Sequence, residues 1–265
     1  MMSAYNWNAG DYQQNSAAQQ QWASELIAKL ALTGSEDVLD LGCGDGKVTA
    51  EIADLVPNGT VIGIDNSSSM VTLARRQYPA SRYPNLIFEL MDARALAFEN
   101  RFDVVFSNAV LHWIKDHRSV VEGLFKSLKP GGKILLQMGA KDGVRSYLSV
   151  LNQILLLPEW KAYFQNFEFP YGFMGIEDYE GMLLAAGFQT QRVELISKDA
   201  VHANREKFKG WIRTTWLPYT ERVSEGEREQ FIELIATSYL EKAPLDAEGR
   251  VHVPMVRLEV EAEKV

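Results

Sequence analysis

The residues Val38-Leu39-Asp40-Leu41-Gly42-Cys43-Gly44-Asp45-Gly46 pass from a short apolar run into glycines at alternate positions. An apolar run of this length bounded by glycines reads as a buried strand entering a tight turn. Val48, Ile52 and Leu55 then recur at helical spacing, so the pattern is strand, turn, helix. The same alternation continues downstream. Pro57 to Gly59 breaks the helix, Thr60 to Ile64 is strand-like, and Asn66 or Ser67 can cap a helix carrying Met70, Leu73, Ala74 and Tyr78. Further strands are expected at Leu86 to Met91, at Phe102 to Ser107 and, after the Pro130-Gly131-Gly132 turn, at Lys133 to Met138, with a helix over Val120 to Leu128. Upstream, Trp22, Leu26, Ile27 and Leu30 mark one face of an opening helix over Ala17 to Leu32.

Strands alternating with helices imply a parallel sheet covered on both faces by right-handed crossovers. Beyond Gly139 the rhythm changes. Arg145 to Leu157 reads as a helix ended by Pro158, and it leads into Trp160, Tyr163, Phe164, Phe167, Phe169, Tyr171 and Phe173. Most of these rings are expected to pack a core, with a remainder free to line a pocket. A helix over Asp178 to Ala186 and a strand over Gln191 to Ser197 follow, then a helical stretch from Arg205 to Glu241 containing the Ser224 to Glu227 capping-box pattern, and a last strand at Val256 to Val260. The expected fold is α/β, Rossmann-like and doubly wound: a mostly parallel seven-stranded sheet with helical lid insertions. One domain over 1–265 is expected, with a cofactor-binding core at 17–139 and helical insertions at 140–187 and 204–245 forming a lid.

Bulk properties narrow the partners. Hydrophobic residues make up 46% and charged residues 23% of the 265 positions, which suits a globular enzyme rather than a disordered chain. The net charge of -8 disfavours nucleic acid, whose binding depends on clustered Lys and Arg. A small-molecule acceptor is the expected partner, and the oligomeric state stays open, a monomer included. Cys43 is the single cysteine, so neither an intramolecular disulfide nor a Cys-rich metal site is expected, and a reducing cytoplasm fits. Met1 to Gln21 has neither the basic region nor the apolar core of a signal peptide, and no apolar run approaches the roughly 20 residues of a membrane helix.

The charge around the glycines decides what they would hold. A dinucleotide loop reads Gly-x-Gly-x-x-Gly and sets a helix N-terminus under a pyrophosphate. Here the spacing is Gly-x-Gly-x-Gly, with Asp40 before Gly42 and Gly44, and Asp45 between Gly44 and Gly46. Carboxylates repel a pyrophosphate and suit the cationic amino-acid end of S-adenosylmethionine (AdoMet). Two more acids close neighbouring strands. Asp65 is placed to accept from both ribose hydroxyls, and Asp92 from the adenine amine, with the backbone of Ala93 or Arg94 at the ring edge and Met70, Leu90 or Met91 as soft faces for the base. Either acid taken alone could serve only to cap the helix after it.

The ordered series VLDLGCGDG, VIGIDNSSSM, the Asp92 loop, FDVVFSNAVLHWI and LKPGGKILL resembles the class I AdoMet-dependent methyltransferases from about Asn6 to Gln137. Trp7-Asn8 with Tyr12, the VLHW element, Gly210-Trp211, Glu229-Gln230-Phe231 and Pro244-Leu245 to Gly249 are similar to trans-aconitate methyltransferases. DLGCGDGKVT and VLHWI also resemble juvenile hormone acid methyltransferases, and both groups esterify carboxylates. The resemblance implies a cofactor set of Tyr12, Asp40, Gly42, Cys43, Gly44, Asp65, Asn66, Met70, Asp92, Ala93 and Asn108, and acceptor contacts from Gln19, His112 and Trp113. Polycarboxylates would want several cations, and the stretch from Arg145 to Gln191 has no arginine cluster; Arg145, Arg213 and Arg257 are the candidates. Ser107-Asn108-Ala109 stands where amide and base methyltransferases commonly carry Asn-Pro-Pro-Tyr, so planar amines are disfavoured.

The expected chemistry is in-line displacement from a sulfonium, in which positioning can supply roughly 7–11 kcal/mol of the barrier. A carboxylate acceptor is ionised near neutral pH and needs no base. For an amine or phenol acceptor, His112 is the first candidate base; its other reading is a structural histidine. No metal is expected. The competing readings are a nucleotide-dependent oxidoreductase and a cofactor-binding protein without turnover.

Overall fold

The computed structural model describes residues 17–265. Seven strands form one sheet: β1 (Asp37–Leu41), β2 (Thr60–Asp65), β3 (Leu86–Leu90), β4 (Phe102–Asn108), β5 (Leu128–Gly139), β6 (Phe188–His202) and β7 (Val251–Lys264), in the spatial order β3-β2-β1-β4-β5-β7-β6. β1 to β5 run parallel, and β7 lies antiparallel to both β5 and β6. The Rossmann-like architecture expected from the alternation is therefore the one formed. β1, β2 and β4 are buried along almost their whole length, as strands covered on both faces must be. The chain winds outward from β1 through β2 to β3 and then returns to β4, so the strand order reverses between β1 and β4. Such a switch point opens a crevice at the carboxyl ends of the strands. Ser107 clamps it by donating its hydroxyl to the Leu41 carbonyl at 2.8 Å.

Helices α1 (Ala17–Ile27), α2 (Lys47–Leu55) and α3 (Ser68–Gln77) bring Leu26, Ile52 and Ala74 onto one face of the sheet, against Val38, Val61 and Phe106. α4 (His117–Ser127) brings Val120 and Leu124 onto the opposite face, against Leu39, Ile62 and Leu136. Ser67 is the cap of α3, accepting the Met70 N–H. α1 stops short of Leu32, because a 3-10 turn over Ala28–Leu30 leads into Ala31 at φ +49°. α4 begins before Val120, because Asp116 accepts the Ser119 N–H at 3.1 Å.

β6 and β7 extend well past the short strands read from apolar alternation. Their ladder runs from Phe188 opposite Lys264 to His202 opposite Val251, so polar stretches are drawn into it by backbone pairing. Glu259, buried within β7, ties this edge together: it accepts from Arg192 on β6, from Gln137 on β5 at 3.0 Å and from Lys29 at 2.6 Å.

The far ends of these two strands carry a second core. α5 (Arg145–Ile154) delivers Tyr147 into a cage of rings completed by two later helices. Its nearest partners are Trp211 at 5.1 Å and Trp216 at 4.5 Å between ring centres. α5 ends before Leu157, and Pro158 opens a separate turn over Pro158–Lys161. The stretch expected as helix from Arg205 to Glu241 divides at Trp216 and Val223 into Arg205–Thr215, Leu217–Thr220 and Glu225–Lys242. Ser224 does sit at the last N-terminus, but its hydroxyl donates to the Glu227 carboxylate at 2.6 Å rather than accepting a backbone N–H. The first insertion, read over 140–187, also divides. Its early part joins the ring cage, whereas α6 (Ile176–Ala186) lays Tyr179 and Leu183 on the sheet beside α4. Among the described residues no helix is long and apolar enough to cross a membrane.

Candidate functional site

The glycine loop is held by the neighbouring strand. Gly42 and Cys43 both donate their N–H to the Ile64 carbonyl, at 2.8 and 2.9 Å. Gly42 has φ +82°, and a Cβ there would stand 2.2 Å from the Val110 side chain, so only glycine fits. Gly44 donates to Asp65 Oδ2 at 3.1 Å, while Ser67 donates its N–H to Asp65 Oδ1 at 2.8 Å. A Cβ on Gly44 would meet nothing within 4 Å, because that position faces open space.

Behind the loop, Asp40 is 2% exposed and accepts the Thr49 hydroxyl at 2.7 Å. Burial pushes its pKa up to about 7, with the nearby Asp65 charge adding to the effect. Asp45 turns its Oδ1 onto the Lys47 N–H at the start of α2, at 3.3 Å. The place a pyrophosphate would take at that helix end is thus filled by the chain's own carboxylate. Burial holds the Cys43 thiol well above its usual range, a packing residue's environment rather than a nucleophile's.

The crevice opens into a cavity of about 500 Å³. Gly42, Gly44, Asp65, Asn66, Met70 and the Leu90–Ala93 segment line it from the sheet edge. Trp22, Trp113, Tyr171, Phe173, Trp216 and Arg257 line it from elsewhere. Of the sequence-derived cofactor residues, Asp40 and Cys43 lie beneath the loop, and Asn108 closes β4 next to the lining residue Ala109. Tyr12 is outside the described residues; Gln19 falls within α1, but its side chain is not described. Asp92 also does the work of a cap: it accepts the Arg94 N–H at 2.9 Å and the Arg94 guanidinium on both oxygens, and that bonding keeps its pKa below the usual range.

Beyond β4, a 3-10 turn over Leu111–Trp113 presents His112 and Trp113. Trp113 meets Tyr171 edge-on at 5.0 Å, and Tyr171 stacks on Phe173 at 5.3 Å, while the Tyr171 hydroxyl donates to the Thr215 carbonyl at 3.0 Å. The His112 ring lies 5.9 Å from Phe173, and its Nδ1 accepts the Gly139 N–H at 3.4 Å, an arrangement that assigns the proton to Nε2. Burial first, and then the Arg257 charge, hold its pKa well below the ordinary histidine value. This imidazole is neutral and offers an N–H donor; its basic nitrogen is engaged.

Arg257 is 4% exposed and lies opposite Gly139 in the β5–β7 ladder, with its guanidinium 5.4 Å from the centre of the Trp22 ring. Of the three candidate arginines only this one lines the cavity: Arg145 pairs with Asp142 at 2.8 Å on the surface, and Arg213 with Glu229 at 2.9 Å. The aromatic run from Trp160 to Phe173 divides likewise. Trp160 and Phe164 pack on Phe231 at 5.0 and 5.7 Å, whereas Tyr171 and Phe173 reach the cavity. Sequence reading did not assign Trp22, Trp216 or Met255 to the site. Trp22 carried the signal of a core helix position, and the other two carried none, since they arrive from elements far apart in the chain. Among the described residues no group of His, Cys, Asp and Glu is arranged to hold a metal ion.

A family profile described as "Methyltransferase domain" matches residues 32–168. The chain is 35% identical over 197 residues to an uncharacterized methyltransferase of Schizosaccharomyces pombe, covering 72% of this chain and 74% of that protein. It is 29% identical over 257 residues to the trans-aconitate 2-methyltransferase of Methylobacterium nodulans, covering 96% of each. Among solved structures, the phosphoethanolamine N-methyltransferase 2 of Haemonchus contortus in complex with S-adenosyl-L-methionine shares its fold with a TM-score of 0.62 at 19% identity, over 97% of this chain and 56% of that one.

Proposed function

The chain belongs to the class I AdoMet-dependent methyltransferases, and from that premise we propose that it methylates a carboxylate of a small-molecule acceptor. The sheet edge fits AdoMet on its own geometry. Each Asp65 oxygen holds one backbone N–H and retains a lone pair for a ribose hydroxyl. Gly44 leaves room where a ligand must approach the backbone, Met70 and Met91 offer polarizable faces to a base, and Asp45 excludes a pyrophosphate from α2. The last point disfavours a dinucleotide oxidoreductase.

The cofactor supplies a methyl group already activated on a sulfonium, so the chain's task is to hold the acceptor in line and keep water out. The observation that carries the carboxylate reading is Arg257, a buried guanidinium that lines the same cavity as the glycine loop. It would draw an anion into the cavity and orient it by paired N–H donors. His112 adds a donor at Nε2 rather than a base, which suits an acceptor that arrives ionised and leaves amine, carbon or phenol acceptors without a proton acceptor from this residue. The relative named for trans-aconitate points the same way, since that compound's functional groups are carboxylates. The helices around Tyr147 and Trp211, standing over the cavity on the ends of β6 and β7, serve as the acceptor lid in this reading. A cytoplasmic setting accords with the single buried Cys43.

Transfer of labelled methyl from AdoMet into a cell extract tests the proposal. The labelled product should release its label as methanol in mild base, as an ester does. A base-stable label would point to an N-, C- or ether-linked methyl and refute the carboxylate reading.

A further inference from the structure

We infer that His117 is a positioning residue for methyl transfer: from behind the cavity wall it holds together the two backbone segments, 111–114 and 171–173, that carry the wall's rings. The inference rests on methyl transfer in this cavity and holds for any acceptor. The two segments are far apart in the chain and meet where the Gly172 N–H donates to the His112 carbonyl at 2.9 Å. The fit at that junction is close. A Cβ on Gly172 would stand 1.9 Å from the Ile114 carbonyl oxygen and 3.0 Å from His117 Nε2. His112, Trp113, Tyr171 and Phe173 line the cavity, whereas His117 does not, so it reaches the junction without meeting a ligand there.

What His117 supplies is an acceptor and a donor on opposite sides of one flat ring. It opens α4 and is 1% exposed, and its Nδ1 lies 3.2 Å from the hydroxyl of Tyr179, a fully buried ring of α6 that meets it edge-on at 5.5 Å. Burial lowers its pKa and keeps it neutral, while the backbone carbonyls of Gly172 and Ile114 act in the other direction. Nε2 is itself buried. Carbonyls accept and cannot donate, so the tautomer that suits this place carries its hydrogen on Nε2 and leaves Nδ1 to accept from the Tyr179 hydroxyl. The other tautomer would set a lone pair against the carbonyls in a place closed to solvent. Tyr179 thus orients the ring, and the ring orients the junction. Moving one segment against the other displaces the rings that must hold an acceptor in line with the methyl carbon, and a misplacement of about 1 Å can cost roughly 100-fold in rate.

Two substitutions in the full chain separate the two ends of the ring. His117→Gln carries an amide N–H to the place of Nε2, whereas His117→Asn keeps an acceptor near the place of Nδ1 and cannot reach the junction. Both should bind AdoMet with wild-type affinity by calorimetry. Transfer of labelled methyl into the cell extract should stay within about threefold of the wild type in His117→Gln and fall about tenfold or more in His117→Asn. Amide hydrogen exchange at Gly172 should quicken about tenfold or more in His117→Asn and change little in His117→Gln. In the wild type, nitrogen NMR of the ring should show the hydrogen on Nε2. Equal transfer and equal Gly172 exchange in the two variants overturn the inference, because a packing role lowers Tm in both and distinguishes neither. A ring hydrogen on Nδ1 overturns it as well, and that reading needs no variant to fold. Should the wild type transfer no label, which bears on the function proposed above, the Gly172 exchange and the ring tautomer still confirm or overturn the placement of His117.

Discussion

Asp65 Oδ2 accepts the backbone N–H of Gly44 at 3.1 Å, so the end of one strand holds the loop that grows from its neighbour. The same carboxylate holds the Ser67 N–H on its other oxygen, so Asp65 both braces the glycine loop and lines the cavity.

Replacing Asp65 with alanine removes both contributions. Asp65→Ala should weaken AdoMet binding by about 1.5–3 kcal/mol, the worth of hydrogen bonds to a charged group. Asp65→Asn, which can still accept from one N–H, should fall between the two. Titration calorimetry with AdoMet measures the difference, and wild-type affinity in Asp65→Ala would contradict the role.

Two glycines of the loop should separate folding from binding. Gly42→Ala drives a methyl into Val110 and should yield little folded protein. Gly44→Ala has space around its Cβ and a φ of +53°, so it should cost about 1–2 kcal/mol of backbone strain and only a few degrees of Tm. Its methyl would stand in the cavity that Gly44 lines, and AdoMet affinity should fall at least about tenfold, worth about 1.4 kcal/mol. Thermal melts and calorimetry on the same samples check both halves.

Asp40 predicts a pH dependence of stability. Its pKa is near 3.8 when the chain is unfolded and about 7 in the fold, raised chiefly by burial. Between these values the folded chain holds a proton that the unfolded chain has released, so this group's contribution to stability is full below the lower value and declines as pH rises to about 7, then levels off. Asp40→Asn removes that slope and keeps an acceptor for Thr49. Melts from pH 5 to 8 should therefore show Tm falling more steeply in the wild type than in Asp40→Asn; parallel curves would exclude the effect.

A second titration has the opposite origin and lies at the surface. His252 on β7 places Nδ1 2.6 Å from Asp199 on β6 and Nε2 2.9 Å from Asp246 in the preceding loop, where Arg250 also meets Asp246 at 2.7 Å. The two carboxylates raise its pKa above the usual 6.5. The clasp is fully formed below pH 6.5 and is lost as pH rises through the raised value. His252→Gln should show a small loss of Tm at pH 6 that shrinks as pH rises above 6.5, solvent screening keeping the effect modest.

Much of this protein could be read in one dimension. β1, β2 and β4 were legible because strands buried on both faces leave unbroken apolar runs, and the glycine loop because the turn and the close approach of Val110 exclude side chains. The acids at the strand ends could be named because each follows its strand directly. The lengths of β6 and β7 could not, since their ladder runs on through pairs that break the apolar alternation, such as Gln189 with Glu263 and Lys198 with Met255. The division of the Trp160 to Phe173 run between packing and cavity also escaped, because Trp160 and Tyr171 are chemically interchangeable until Phe231 and Trp113 are brought against them.

Within the first half of the chain, the amino-acid order alone determined a parallel α/β sheet with an acidic glycine loop suited to a cationic nucleoside, because strand, turn and charge are encoded within about ten residues of one another. Only the tertiary structure decided which of the candidate arginines lines the cavity. Arg257 comes opposite Gly139 through strand register, and Trp22 comes beneath Arg257 through the packing of the opening helix on the sheet. Local pattern reports a residue's own element; meetings across more than a hundred residues of chain exist only once those elements have packed.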